Sequence, residues 1–261
     1  ELEGEFYKTG IATLDSIVPN MAGPAAMHEN VYQAARRVVR DGKIIVGLGG
    51  EHSITSGLVR AVMGKHKKLS ILQIDAHLDL RNEWEGTPYS HASAMRRCLD
   101  LGASLVSVGI RNISLEEHQF LRGRADSARR NSPPPMQGGK TKQPLPLTRG
   151  DKGGSVEVIT ARQSHMEDDW LDRALNALGE NIYVSIDIDG FDPAYAPGTG
   201  TPEPGGLDWY QVTGLLRLAA AEKTIVGMDV VEVMPIPGQA VTEFLAARLI
   251  YKLLCYIQTK A

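Results

Sequence analysis

Five short runs rich in β-branched residues recur along the chain, and most of them are continuously apolar rather than alternating. They span residues 43–48, 69–75, 104–110, 181–187 and 224–231. Continuous apolar runs of this length are typical of strands that are buried on both faces of a parallel sheet. Each run ends at or near Gly or Asp, which are residues that stop strands and begin turns. The runs therefore predict the strands of one parallel sheet.

Amphipathic stretches lie between these runs, at residues 31–40, 170–178, 212–222 and 241–258. In the first stretch Val31, Ala35 and Val38 share one helical face, which is the spacing of a helix that packs on a core. Strands that alternate with helices predict an α/β fold: three α/β/α layers with a mostly parallel central sheet. A chain of 261 residues is long enough for one such domain across residues 1–261.

The stretch 122–154 does not fit this alternation. It is rich in Pro and Gly, and it contains eight Lys or Arg residues but only two Asp residues. A segment with so few apolar groups cannot offset the entropy lost on ordering. We interpret it as a flexible basic surface insertion, since charge runs of this kind are usually solvated.

The overall composition excludes several classes of protein. A net charge of −3 gives no general attraction to nucleic acid, so we expect no nucleic-acid partner. No apolar run approaches the roughly 20 residues of a membrane span. The N-terminus lacks the pattern of a secretory leader, and only two cysteines occur, Cys98 and Cys255. We therefore expect a cytoplasmic protein.

Metal-ligand residues follow three of the predicted strands. The six candidates are His52, Asp75, His77, Asp79, Asp187 and Asp189. The carboxyl ends of parallel strands meet at one edge of a sheet, where ligands bind in open α/β folds. Four carboxylates and two imidazoles are too many for one small divalent ion, so they predict two ions that share carboxylates and activate a water for hydrolysis. Asp192 precedes Pro193, and we interpret it as a turn residue rather than a ligand.

The charge of this centre predicts the sign of its substrate. Four carboxylates balance two divalent ions, so a hydroxide and the nearby Glu232 leave the site negative. Such a site attracts a small cation and repels a phosphate ester, and a guanidinium matches a carboxylate through paired N–H groups. Because the ligands are mostly oxygens, Mn²⁺ is the expected metal, with Co²⁺ or Fe²⁺ as substitutes.

Five motifs in this order resemble the ureohydrolase family of arginase and agmatinase. They are Gly-Gly-Glu-His-Ser at 49–53, Asp-Ala-His-Leu-Asp at 75–79, Ser-Ile-Asp-Ile-Asp at 185–189, the Gly- and Pro-rich segment 192–202, and Val-Val-Glu-Val at 230–233. The segments 81–92 and 202–206 are more similar to agmatinases than to arginases. The resemblance implies an arginase-like fold that is short at the N-terminus, and a homotrimer or homohexamer.

The resemblance also implies a role for each residue. One Mn²⁺ would be held by His52, Asp75, Asp79 and Asp187, and the other by His77, Asp75, Asp187 and Asp189. Glu232 would bind the guanidinium, His91 would carry protons to and from bulk water, and Asp79 would pass a proton to the leaving amine. Thr201 would contact the substrate. The implied reaction converts agmatine to putrescine and urea, a step of polyamine biosynthesis.

Other functions remain compatible with the same residues. The same chemistry could act on N1-aminopropylagmatine, guanidinobutyrate or arginine. A different binuclear hydrolase, such as a phosphoesterase, is disfavoured by the negative site. A non-catalytic member of the family is disfavoured because all six ligand positions are intact.

Overall fold

One parallel sheet forms the centre of the protein. The computed structural model describes residue 8, residues 10–130 and residues 154–259. The strands are β1 (Ile45–Leu48), β2 (Ser70–Ile74), β3 (Ser104–Ile110), β4 (Val156–Thr160), β5 (Asn181–Asp187) and β6 (Thr224–Val231). They form a six-stranded sheet in the order β1-β6-β5-β2-β3-β4, and every neighbouring pair is parallel.

Helices cover both faces of this sheet. They are α1 (Pro24–Arg40), α2 (Ile54–Lys65), α3 (Ala94–Asp100), α4 (Leu115–Arg130), α5 (Ala161–Met166), α6 (Trp170–Ala177), α7 (Trp209–Glu222) and α8 (Val241–Thr259). One buried cluster joins α6, α7 and α8 to the sheet, and a second joins α1, α2 and α3 to its other face. The predicted three-layer α/β/α architecture is therefore confirmed. Within the described ranges, no helix is both long enough and apolar enough to cross a membrane.

Two capping boxes fix where helices begin. At α5 the Thr160 hydroxyl accepts from the Gln163 amide at 3.2 Å, and the Gln163 side chain accepts from the Thr160 amide at 3.1 Å. Asp208 and Gln211 exchange the same pair of bonds at the start of α7. Each box satisfies two backbone donors that the helix itself leaves free. The second box fixes the end of the long loop that follows β5.

The structure contains helices α2, α3, α4 and α5, which were not predicted, and it differs from the prediction elsewhere as well. Strand β4 was not predicted, and α1 begins at Pro24 rather than at residue 31. The predicted insertion 122–154 overlaps α4, which extends to Arg130. There Arg124 is buried, its guanidinium lies 5.5 Å from the Phe120 ring centroid, and it donates to the Gly154 carbonyl. The remainder of the predicted insertion, 131–153, lies outside the described residues.

The strand order creates a switch point between β2 and β5. From β2 the chain moves outward to β3 and β4, whereas from β5 it moves in the opposite direction to β6. Connections that diverge in this way leave a crevice outside the carboxyl ends of the two strands, which is where open α/β sheets bind ligands.

Candidate metal centre and substrate cavity

All six predicted ligands meet at the carboxyl edge of β1, β2 and β5. They are His52 after β1, Asp75, His77 and Asp79 after β2, Asp187 at the end of β5, and Asp189 in the 3-10 turn that follows. Five of them are buried, and His77 is partly exposed. They lie at the β2/β5 switch point, and all but Asp187 belong to two groups that can each hold a metal ion.

The first group consists of His52, Asp75 and Asp79, with Asp187 beside it. The Nδ1 atom of His52 lies 2.8 Å from Oδ2 of Asp79, 3.2 Å from Oδ2 of Asp75 and 3.3 Å from Oδ2 of Asp187. One imidazole nitrogen therefore faces three carboxylates, and either a proton on that nitrogen or a metal ion among them would compensate their charge.

The second group consists of Asp75, His77 and Asp189. The Nδ1 atom of His77 lies 3.1 Å from Oδ2 of Asp189 and 3.6 Å from Oδ1 of Asp75. Asp75 thus turns one oxygen toward each group. A shared carboxylate of this kind is the geometry expected for two ions held a few ångströms apart.

The hydrogen bonds of His52 test whether a metal fits. Its Nε2 lies 2.9 Å from Oγ of Ser185, which donates its own proton to Oδ1 of Asp229 at 2.8 Å. Oγ of Ser185 therefore accepts from Nε2, so Nε2 carries a proton and Nδ1 is the ring nitrogen that faces the carboxylates. Nδ1 is buried and finds no hydrogen-bond partner in the described part of the chain. A buried imidazole nitrogen that faces carboxylates, with its other nitrogen held by a hydrogen bond, fits the binding of a divalent metal ion in place of a proton.

The titration behaviour of the acids reflects the same convergence of charge. Burial and the charge of Asp75 raise the pKa of Asp79 to about 7 and hold the pKa of Asp187 well above its ordinary value. Burial opposes protonation of His77, but Asp189 and Asp75 raise the pKa of its imidazole to about 11. Protons on these side chains thus compensate the negative charge that bound metal cations would otherwise compensate.

A cavity of about 430 Å³ opens over the metal-ligand groups. Its walls include Glu232, His91, Thr201, Trp84, Arg81 and Glu51. Glu232 is half-buried, and burial raises the pKa of its carboxyl. Oε1 of Glu232 accepts from the His52 amide at 2.9 Å, and no other hydrogen bond to this carboxylate occurs among the described residues. Its second oxygen is free to bind a ligand.

The two remaining predicted site residues also line the cavity. Nδ1 of His91 lies 3.9 Å from Oε2 of Glu51, and both side chains are about half exposed, so His91 has access to bulk water. The Thr201 hydroxyl donates to Oδ2 of Asp189 at 2.8 Å. Thr201 is therefore attached to a candidate metal ligand, and its contact with substrate stays a prediction.

The sequence reasoning missed the polar residues beneath the ligands. Ser185 and Asp229 are fully buried in β5 and β6, and Gln73 is fully buried in β2. Arg111, at the end of β3, donates to the backbone carbonyls of Asp189, Phe191 and Glu203. A polar residue inside an otherwise apolar strand was the available signal, because a buried polar group must find a partner.

Comparison with known proteins finds the same family that the five sequence motifs resemble. The arginase family model matches residues 1–129 and 148–255. An N(1)-aminopropylagmatine ureohydrolase from Synechocystis is 35% identical over 240 residues, covering 91% of this chain and 68% of the relative. Its namesake from Thermus thermophilus is 39% identical over 235 residues, covering 90% and 70%.

The solved structure of the agmatine ureohydrolase of Thermoplasma volcanium is similar as well. It superposes with a TM-score of 0.70 at 30% identity, covering 92% of this chain and 71% of that one. Two matches identify the family: the family model, and a 35% identical relative whose alignment covers 91% of this chain. This chain belongs to the arginase family.

Proposed function

We propose that this protein is a binuclear metal hydrolase that cleaves the guanidinium group of a small aminoalkylguanidine, releasing urea and a primary amine. One observation carries this proposal. Two ligand groups that have Asp75 in common lie in the same cavity as the half-buried carboxylate of Glu232. The ligand groups suit two divalent cations, and the free carboxylate suits a bound organic cation.

We assign one metal ion to each of the two groups and add Asp187 to both. The first would use His52, Asp75, Asp79 and Asp187, and the second would use His77, Asp75, Asp187 and Asp189. Bound there, two divalent ions would supply a water acidic enough to attack a guanidinium carbon near neutral pH. Mn²⁺ is our first choice because most ligand atoms are carboxylate oxygens, and Co²⁺ or Fe²⁺ could substitute.

Glu232 would bind and orient the guanidinium. Its Oε1 is fixed by the His52 amide, so the carboxylate has one orientation relative to the ligand groups. A guanidinium presents paired N–H donors in one plane, and a carboxylate of fixed orientation selects that plane. Half-burial of Glu232 strengthens this pairing because water screens it less.

Two residues would move protons. His91 lines the cavity and is open to solvent, so its imidazole can carry a proton between bulk water and the site. Asp79 lies at the floor of the same cavity, where its carboxylate can pass a proton to the leaving amine. The amine then leaves as an ammonium ion.

Agmatine and N1-aminopropylagmatine are the substrates that we propose. Both carry a guanidinium and an amine tail, and the negative surroundings of the cavity favour a substrate with more than one positive charge. The relatives from Synechocystis and Thermus thermophilus are named for the second compound, which supports it at least as strongly as agmatine.

Arg81 supports a second candidate substrate class. Its guanidinium stacks on Trp84 at 4.5 Å in the cavity wall and has no ion-pair partner among the described residues. An unpaired guanidinium could bind the carboxylate tail of guanidinobutyrate or arginine.

A urea-release assay on the Mn²⁺-loaded protein tests these alternatives. The panel contains agmatine, N1-aminopropylagmatine, guanidinobutyrate, arginine and p-nitrophenyl phosphate, with metal content measured on the same sample. We expect urea from the two amine-tailed guanidines and none from the Asp189→Asn variant. Absence of urea with every guanidine, or turnover of the phosphate ester alone, would contradict the proposal. We also propose a homotrimer or homohexamer, as the resemblance implies, and a cytoplasmic location, as expected from the composition.

A further inference from the structure

A buried amide lies directly beneath the metal centre. Gln73 is fully buried in β2, two residues before Asp75 and on the same face of the strand. Its Nε2 donates to Oδ2 of Asp75 at 2.7 Å and to the His77 carbonyl at 3.1 Å. Its Oε1 accepts from the Ser107 hydroxyl at 2.6 Å. Both amide protons and the amide oxygen therefore have partners.

The partners permit only one orientation of this amide. The Asp75 carboxylate and the His77 carbonyl both accept, so the amide nitrogen must face them. A flipped amide would place Oε1 of Gln73 against a buried carboxylate and leave two acceptors without donors, which is costly at a fully buried position. Ser107, on the neighbouring strand β3, then supplies the proton that the amide oxygen needs.

Gln73 contacts one oxygen of the shared carboxylate and not the other. Oδ2 of Asp75 is the oxygen nearer to His52, at 3.2 Å from Nδ1. Oδ1 instead accepts from the His77 amide at 2.6 Å and faces the second ligand group. The amide therefore acts on the side of Asp75 that belongs to the first group, His52, Asp75 and Asp79.

We propose that Gln73 is a positioning residue for Asp75, and that its amide, oriented by Ser107, raises the affinity of the first ligand group for its metal ion. This inference rests on the proposed binuclear centre. Without the amide, Asp75 can rotate about its side-chain bonds, and four carboxylates within a few ångströms repel one another out of the ligand geometry. Gln73 opposes this rotation without adding charge, which a Glu or Lys at the same position could not do. Partners that orient a metal ligand typically change metal affinity by about 10- to 100-fold.

The Gln73→Met variant tests this role because Met has nearly the same volume but no amide. Mn²⁺ binding is measured by calorimetry, and the visible absorption of Co²⁺ reports the ligand geometry at each position. We expect the affinity for one of the two ions to fall by about 10- to 100-fold and its Co²⁺ spectrum to change. The other ion should be affected much less.

Ser70→Ala is the matched control. Ser70 is buried in the same strand and accepts a hydrogen bond from the Gly179 amide at 2.9 Å, away from the ligand groups. This variant should lose stability but bind both ions as the wild type does. Equal metal affinities in wild type and Gln73→Met, or an equal loss in Ser70→Ala, would overturn the positioning role.

Ser107 provides a second route if Gln73→Met does not fold. Ser107→Ala keeps the amide but removes the donor that orients it, so the affinity for the same ion should fall by a smaller factor. Ser107→Thr keeps the hydroxyl and should restore it. An unchanged affinity in Ser107→Ala would reject the proposal. If the wild type itself bound no Mn²⁺ and released no urea, the proposed function would fail instead, so the two failures are distinguishable.

Discussion

Asp79 and Glu232 reach the cavity from an unusual backbone conformation. Their φ angles are 54° and 61°, in the left-handed region, and among described residues other than glycine only Glu85 shares it. Such a conformation costs about 1–3 kcal/mol and persists only where surrounding contacts enforce it. At Glu232 the enforcing contacts are its own amide bonded to the Gly50 carbonyl at 2.9 Å and its carboxylate bonded to the His52 amide. The strain directs the side chain toward the ligand groups.

The Glu232→Gln variant tests the role of this carboxylate. The amide oxygen of Gln can still accept from the His52 amide, so the local structure should persist. The charged partner of the guanidinium is lost, and because hydrogen bonds between charged groups contribute about 1.5–3 kcal/mol, kcat/KM for the best guanidine should fall by about 10- to 150-fold. Steady-state urea release measures this, and Mn²⁺ content should stay unchanged.

Glu51→Gln is the control for that experiment. Glu51 also lines the cavity, but its carboxylate is bonded to the Ser53 amide at 3.2 Å and is half exposed. Its removal should change kcat/KM far less. Equal losses in the two variants would mean that general negative charge, rather than the placement of Glu232, binds the substrate.

The positions of the ligands were predictable from the sequence, but the contacts that orient them were not. The spacing of Asp75 and His77, and of Asp187 and Asp189, places side chains together at a strand end whatever the rest of the chain does. The bonds from Gln73 to Ser107 and from Ser185 to Asp229 connect different strands. They depend on the order of strands in the sheet, which local patterns do not contain.

At the scale of elements, the strands with the clearest apolar runs were predicted to the residue. The bounds of β3, β5 and β6 match the runs 104–110, 181–187 and 224–231. Strand β4 was missed because it includes Glu157, whose charge interrupts the apolar run. Burial raises the pKa of Glu157, and Arg173 at 3.0 Å compensates for its charge. Tertiary contacts thus stabilise a strand that its own sequence does not indicate.

Arg111 joins three elements around the second ligand group. Its guanidinium donates to the carbonyls of Asp189, Phe191 and Glu203 at 2.6, 3.2 and 2.7 Å, which fixes the loop after β5 to the end of β3. In Arg111→Lys a single ammonium replaces the planar guanidinium and cannot reach all three carbonyls. Each buried carbonyl left without a donor should lower the free energy of unfolding by about 1–3 kcal/mol. Hydrogen exchange of residues 190–206 should accelerate, and Mn²⁺ affinity should fall.

Arg173→Lys is the control for this substitution. Arg173 is also partly buried and bonded, but its partners Glu157 and Glu167 lie away from the ligands. Its variant should leave exchange in 190–206 and metal affinity unchanged. A similar exchange pattern in both variants would mean that Arg111 supports the fold in general and not the loop.

At the scale of the whole molecule, the sheet holds acids together that repel each other. Four strands that run in parallel deliver their carboxyl ends to one edge, and the β2/β5 switch point brings Asp75 and Asp187 into contact range of one histidine nitrogen. Folding therefore confines like charges in a buried site, and metal ions that bind only the folded state compensate for this repulsion. We therefore expect the free energy of unfolding to increase on metal binding, even though the protein has an extensive hydrophobic core.

Thermal unfolding with and without Mn²⁺ tests this coupling. At a free Mn²⁺ concentration about 100-fold above Kd, each bound ion stabilises the folded state by about 2.7 kcal/mol, which corresponds to a rise in Tm of about 5–10 °C per ion for a domain of this size. Asp75→Asn should abolish most of the rise. Asp192→Asn is the contrasting variant, because Asp192 accepts from the amides of Ala194, Gly205 and Gly206 and lies outside both ligand groups. It should lower Tm with and without metal while preserving the Mn²⁺-dependent rise. If Asp75→Asn kept the full rise, the bound metal would lie elsewhere.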